Sequence, residues 1–87
     1  MIYKVQFYTS RRNISLSARR FKGLNEVKVY RQNGLYKYTT GNYSTLDRAN
    51  QYLEKIKQAG FNDAFVVIFK DGKRISLEEA KRIKNRH

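Results

Sequence analysis

Two halves of this 87-residue chain carry the same punctuation in the same order. The first runs Tyr3-Lys4-Val5-Gln6-Phe7, a basic stretch, Leu24-Asn25-Glu26-Val27-Lys28-Val29-Tyr30 and the dipeptide Asn33-Gly34. The second runs Tyr36-Lys37-Tyr38-Thr39-Thr40, a helical stretch, Phe61-Asn62-Asp63-Ala64-Phe65-Val66-Val67 and Asp71-Gly72. Each half reads strand–helix–strand, so the pair reads βαββαβ. The expected fold is α+β, ferredoxin-like or RNP-like: a four-stranded antiparallel sheet with helices on one face.

Local chemistry supports each element. Tyr3, Val5 and Phe7 alternate with Lys4, Gln6 and Tyr8, and Tyr36, Tyr38 and Thr40 alternate with Lys37 and Thr39; period-2 patterning in β-branched and aromatic residues marks strands. Asn33-Gly34, between Val27–Gln32 and Leu35–Thr40, accepts the positive φ that a tight hairpin turn requires. Ser44, with Asp47 three residues on, is the expected N-cap of the second helix, whose stripe is Leu46, Ala49, Leu53 and Ile56. Gly60 then ends it, with Phe61 packing back on Ile56. The first crossover is rich in Arg and Ser and fits either a short helix or an irregular segment. Ala64 to Phe69 is apolar on both sides, which leaves its register open.

Residues 1–72 form the expected domain, and residues 73–87 an appendage of it. Lys73-Arg74-Ile75 fits a hairpin partner after Asp71-Gly72. Ser76-Leu77-Glu78-Glu79 is a capping box for a last helix with Leu77, Ala80 and Ile83 inward. Asn85 to His87 are expected to fray.

Composition narrows function. Lys and Arg number 19 against 7 acids, a formal charge of +12, with no Cys and a single His. That leaves no disulfide framework, zinc ribbon, thiol nucleophile or His-based triad, and no cofactor or metal is expected. No apolar run approaches the ~20 residues that cross a bilayer. Residues 1–43 hold nine of the cations, one acid and six of the seven Tyr. Basic charge keeps a small domain soluble, but charge coinciding with Tyr also fits an anionic ligand with flat faces.

The sheet face away from the helices is then the place to look for function. It is expected to carry Lys4, Gln6, Tyr8, Lys37 and Thr39, with Lys28 and Tyr30 at one edge. Aromatic rings offer stacking surfaces to sugar C–H faces, and amides and hydroxyls pair with sugar hydroxyls. The same face could stack nucleobases. However, the third strand, Leu35-Tyr36-Lys37-Tyr38-Thr39-Thr40-Gly41, lacks the Lys/Arg-Gly-aromatic run and Phe-x-Phe pair of RNA-recognition modules. Nucleic acid is therefore the less favoured partner, and a small enzyme less favoured still.

The ordered set of motifs over about residues 2–69 resembles the SPOR (sporulation-related repeat) domains of bacterial envelope proteins. Tyr3-Lys4-Val5-Gln6 matches their aromatic-x-Val-Gln start. Tyr36-Lys37-Tyr38 with Gly41-Asn42-Tyr43 matches their third strand, and Ala49, Leu53 and Gly60-Phe61 match their second helix and its end. The chain departs from the family in Tyr8-Thr9-Ser10 and in its Arg- and Ser-rich first crossover. The resemblance implies non-catalytic binding of peptidoglycan glycan strands that lack stem peptides, as part of an exported protein of the periplasm or envelope that is targeted to the septum. The appendage is similar to one at the C-terminus of wall amidases in the Bacteroidetes, which implies such a parent.

Under this resemblance Gln6 is the leading glycan contact, Tyr8 and Tyr30 are stacking candidates, and Lys37 stands where the family has Arg. Thr9, Ser10, Arg11 and Arg12 line the loop after the first strand as a rim of the groove, and Lys28 and Thr39 complete the expected site. Peptide removal leaves lactyl carboxylates, so the strand is a polyanion drawn to a basic groove and screened by salt. The domain is expected to act as a monomer.

Overall fold

A computed structural model describes residues 1–84; the expected fraying of 85–87 lies outside the described residues. The elements are β1 (Ile2–Ser10), a 3₁₀ turn (Arg19–Phe21), β2 (Lys28–Gln32), β3 (Leu35–Tyr43), α1 (Leu46–Gln58), β4 (Phe65–Lys70), β5 (Lys73–Ile75) and α2 (Leu77–Lys84). The strands form one antiparallel sheet in the order β2-β3-β1-β4-β5. Removing β5 leaves the ferredoxin-like order, as the repeat predicts. β5 extends it by one hairpin strand.

Both hairpins turn where expected. Asn33 and Gly34 adopt φ of 56° and 76°, and Asp71 and Gly72 adopt 51° and 79°. Positive φ at both central residues matches the twist of the flanking strands. α1 is capped one residue later than Ser44-Asp47 implies: the Thr45 hydroxyl accepts from the Arg48 N–H at 3.3 Å. Its end follows expectation, with the Phe61 N–H donating to Ile56 O. Ser76 caps α2 through the Glu79 N–H at 3.1 Å. Ala80 is buried, but Leu77, expected inward, is half exposed in the first turn.

Two clusters fill the helix side of the sheet. Tyr3, Ala49, Ile68 and Ala80 pack where β1 begins, beneath α1 and α2. Val5, Phe7, Phe21, Tyr38, Ile56 and Ala64 pack where it ends. Over this second end the first crossover is the irregular segment, not a helix, and Phe21 does the covering. Its ring is 1 % exposed and meets Phe7, Tyr8 and Tyr38 at 5.0–5.4 Å between centroids. The Tyr38 hydroxyl ties the segment down by accepting from the Ile14 N–H and donating to the Ile14 carbonyl.

The register of β1 shifts against β3 between Gln6 and Tyr8, where two residues of β1 answer one of β3. Such a bulge turns consecutive side chains to one side. Phe7 and Tyr8 therefore both reach Phe21 on the helix side. Tyr8 is thus not on the face predicted for it.

Candidate functional site

The uncovered face is defined by cross-strand partners, which share a side of the sheet. Gln6 pairs with Thr39 and Phe65, Lys4 with Val67, Ile2 with Phe69, and Thr9 with Lys37. Lys28 pairs with Thr39 and Tyr30 with Lys37, while Arg74 answers Phe69 from β5. Phe65 and Val67 accordingly face outward, which resolves the register that the sequence left open.

No helix covers this face among the described residues, yet its middle is closed by its own side chains. Tyr30 reaches from the edge strand β2 to β1, where its hydroxyl donates to Gln6 Oε1. Its ring meets Phe69 edge-on, with centroids 5.1 Å apart. Beneath this bridge Gln6 is 5 % exposed, and Thr39 and Val67 are 1 % exposed. Gln6 is therefore a support for Tyr30, and Thr39 lies under the ligand surface instead of projecting from it. Lys37 donates to Gln32 Oε1 at 2.7 Å, which holds its ammonium at the same edge.

Depressions flank the bridge. The larger, of about 570 Å³, is lined by Met1, Ile2, Lys4, Lys28, Val29, Tyr30, Thr39, Phe69 and the turn Lys70–Gly72. Its lining is largely apolar, with three lysines, Lys4, Lys28 and Lys70, and one acid, Asp71. The Lys4 Nζ lies 5.3 Å from the centre of the Phe69 ring. Burial, and then the charge of Lys28, lower the Lys4 pKa, against a smaller opposing pull from Glu26. Burial likewise raises the Tyr30 pKa, partly offset by Arg74 nearby. The smaller depression, of about 340 Å³, lies toward the end of β1 and is lined by Gln6, Thr9, Phe65 and Asp63 among others.

Of the predicted site residues, Lys28, Tyr30 and Thr39 meet in the larger depression, and Gln6 and Thr9 in the smaller. Lys37 borders both through its partners Tyr30 and Thr9. Three do not present their side chains as expected. Tyr8 lines the smaller depression but turns its ring under Phe21, with its hydroxyl accepting from Arg20 at 2.7 Å. The Ser10 hydroxyl accepts from the Arg12 N–H at 3.0 Å, and Arg11 is exposed in the following loop. Lys4, expected on this face but given no ligand role, lines the site, as do Phe69 and Lys70, which were not among its expected members. Period-2 alternation from Lys4 and from Phe65 was the signal available for the first two.

Among the described residues the sheet thus leaves one face without a helix, carrying aromatic and basic side chains and two depressions. The model of the SPOR domain family matches residues 3–68. The chain belongs to that family, whose members are peptidoglycan-binding modules. Searches of curated proteins and of solved structures each find no match. No helix among the described residues is long and apolar enough to cross a membrane.

Proposed function

We propose that this domain binds peptidoglycan glycan strands whose stem peptides have been removed. The strand lies along the uncovered face, and its binding directs a parent envelope protein, a wall amidase in our reading of the C-terminal hairpin, to the septum. The observation that carries this reading is the larger depression. Phe69 and Tyr30 supply ring surface for sugar C–H faces, and Lys4 and Lys28 supply cations where a lactyl carboxylate would project. Lys37 and Thr9 continue the contact toward Phe65. Gln6 acts by fixing the Tyr30 hydroxyl.

Purified sacculi, before and after amidase treatment, test the proposal in a sedimentation assay beside RNA at equal salt. Retention rises after amidase treatment and exceeds that of RNA. Equal retention on intact and denuded sacculi would defeat the claim of specificity. Gln6→Ala, which frees Tyr30, weakens retention more than Arg12→Ala; the opposite order would mean simple charge attraction.

A further inference from the structure

β5 lies outside the residues that match the family, yet one of its side chains crosses the face on which the groove lies. β2 and β5 are the two edges of the sheet. Even so, Arg74 Nη1 stands 3.5 Å from Gln32 Oε1, and Phe69 meets Tyr30. The sheet therefore coils until its edges approach each other over the uncovered face. What meets there is poorly matched. Gln32 Oε1 already accepts from the Lys37 ammonium at 2.7 Å, so two cations converge on one uncharged oxygen. The Arg74 contact is long for a hydrogen bond, and its buried Nε has no partner among the described residues. The Tyr30 phenol beside Arg74, its pKa raised by burial, is uncharged as well. Like charges so placed repel, and a guanidinium nitrogen taken from water without an acceptor is destabilising.

We propose, on the glycan reading above, that Arg74 and Lys37 form a carboxylate site filled by an acidic group of the bound strand. Arg74 thus joins the contacts from beyond the family's residues. The chemistry of the gap selects the ligand group. An amide lends one oxygen to two cations, whereas a carboxylate brings two oxygens and the missing charge. A guanidinium fork takes such a group in two parallel bonds, and Lys37 serves as a second point charge. A sugar hydroxyl would satisfy a donor but leave both charges uncompensated. Arg74 gives up only one long contact in turning onto an arriving anion. The β4–β5 hairpin then holds the strand from one edge of the sheet, and Lys37 with the β2 edge holds it from the other.

Two probes test this on the whole domain. The first is sodium lactate, read against sodium chloride through the Arg74 Nε–H resonance, which Arg74→Gln removes and so assigns. Lactate shifts that signal saturably, chloride at equal ionic strength does not, and Lys37→Gln weakens the response several-fold. The second is denuded glycan, native or with its carboxyl groups reduced to alcohols. Arg74→Gln lowers affinity for the native glycan about fivefold and Arg74→Lys about threefold. Lys73→Gln, which removes the neighbouring charge of β5, lowers it less than about twofold. On reduced glycan the unaltered domain binds more weakly, and Arg74→Gln no longer differs from it. An Nε–H signal indifferent to lactate would overturn the proposal. So would equal losses from Arg74→Gln and Lys73→Gln, or the same fractional loss on reduced glycan, which would make Arg74 a strut that shapes the face. Urea midpoints of each variant separate a lost contact from a lost fold. Should lactate bind while the glycan does not, the carboxylate site stands and the glycan reading falls; the converse keeps the reading and removes the site.

Discussion

Where β1 begins, lysines surround a concave site with an aromatic floor, and α1 and α2 close the other side of the sheet. Where β1 ends, arginines stand on an irregular loop, and its Phe21 covers the sheet together with Ile56 from the end of α1. The segments between β1 and β2 and between β3 and β4 hold corresponding places in the two halves, yet one is a loop and the other a helix, so the strand framework does not dictate what covers it. A helix spreads its cover along a stripe that spans both ends, Leu46 and Ala49 at the first and Leu53 and Ile56 at the second. The loop concentrates it in Phe21 and spends the remaining positions on charge. The cations differ to match. An ammonium group fits in a partly desolvated recess and responds to it, while a guanidinium keeps its charge and suits an open surface.

If the loop's share of the cover at the arginine end is concentrated in one side chain, Phe21→Ala is among the most damaging single changes in the domain. Loss of a fully buried aromatic costs about 3–5 kcal/mol, a large part of a small domain's stability. Ile75→Ala, at the half-buried edge of the other end, costs about 2 kcal/mol, near the bottom of the range for aliphatic truncation. Urea unfolding measures both. A cost for Phe21→Ala no greater than for Ile75→Ala would show that the loop is passive cover and the comparison is misdrawn.

Binding separates the ends next. Lys4→Gln with Lys28→Gln weakens binding of denuded glycan about tenfold, equivalent to about 1.4 kcal/mol. Arg11→Gln with Arg12→Gln removes the same charge and changes it less than about twofold. Titration followed by amide shifts gives both values. Matching losses would mean that overall charge, not the recess, selects the ligand.

The helix that covers the lysine end offers a finer check. Thr45→Ala costs about 1 kcal/mol because the Arg48 N–H loses its acceptor, while Ser44→Ala stays within about 0.5 kcal/mol. Thermal unfolding of the two variants distinguishes the caps; the reverse order would return the cap to Ser44.

The framework was legible because its signals are local: paired turn dipeptides, period-2 strands, a helical stripe and a glycine terminator. What escaped was set by small offsets and by reach. The β1 bulge adds one residue with no glycine or proline to announce it, and strict alternation then sends Tyr8 to the wrong face. Ser44 and Thr45 are both good caps, and the spacing to Asp47 favoured the wrong one. Gln6, Lys28, Tyr30 and Thr39 were placed on the correct face, but the Tyr30–Gln6 bridge spans 24 residues and buries two of the expected contacts. Which polar residue ends beneath another is decided by side-chain length across strands, which alternation does not encode.

The mildest difference between the ends is their response to alkali. The Lys4 pKa lies below 10.5 in the folded domain, through burial first and Lys28 second. An anionic glycan favours charged Lys4, so affinity falls by a few-fold as pH rises through that lowered value, before ordinary lysines titrate. Folding responds with the opposite sign. Over the same window the folded state holds fewer protons than the unfolded chain, so stability attributable to Lys4 rises with pH toward 10.5. Tyr30 does not confound the window, because burial raises its pKa above 10.0 and keeps the phenol neutral. Glycan titrations and urea midpoints between about pH 8 and about pH 10 read both trends. In Lys4→Arg, whose charge does not titrate there, the affinity trend disappears. An affinity that falls equally in Lys4→Arg would assign the trend to some other group and leave the lysine recess with no special part in it.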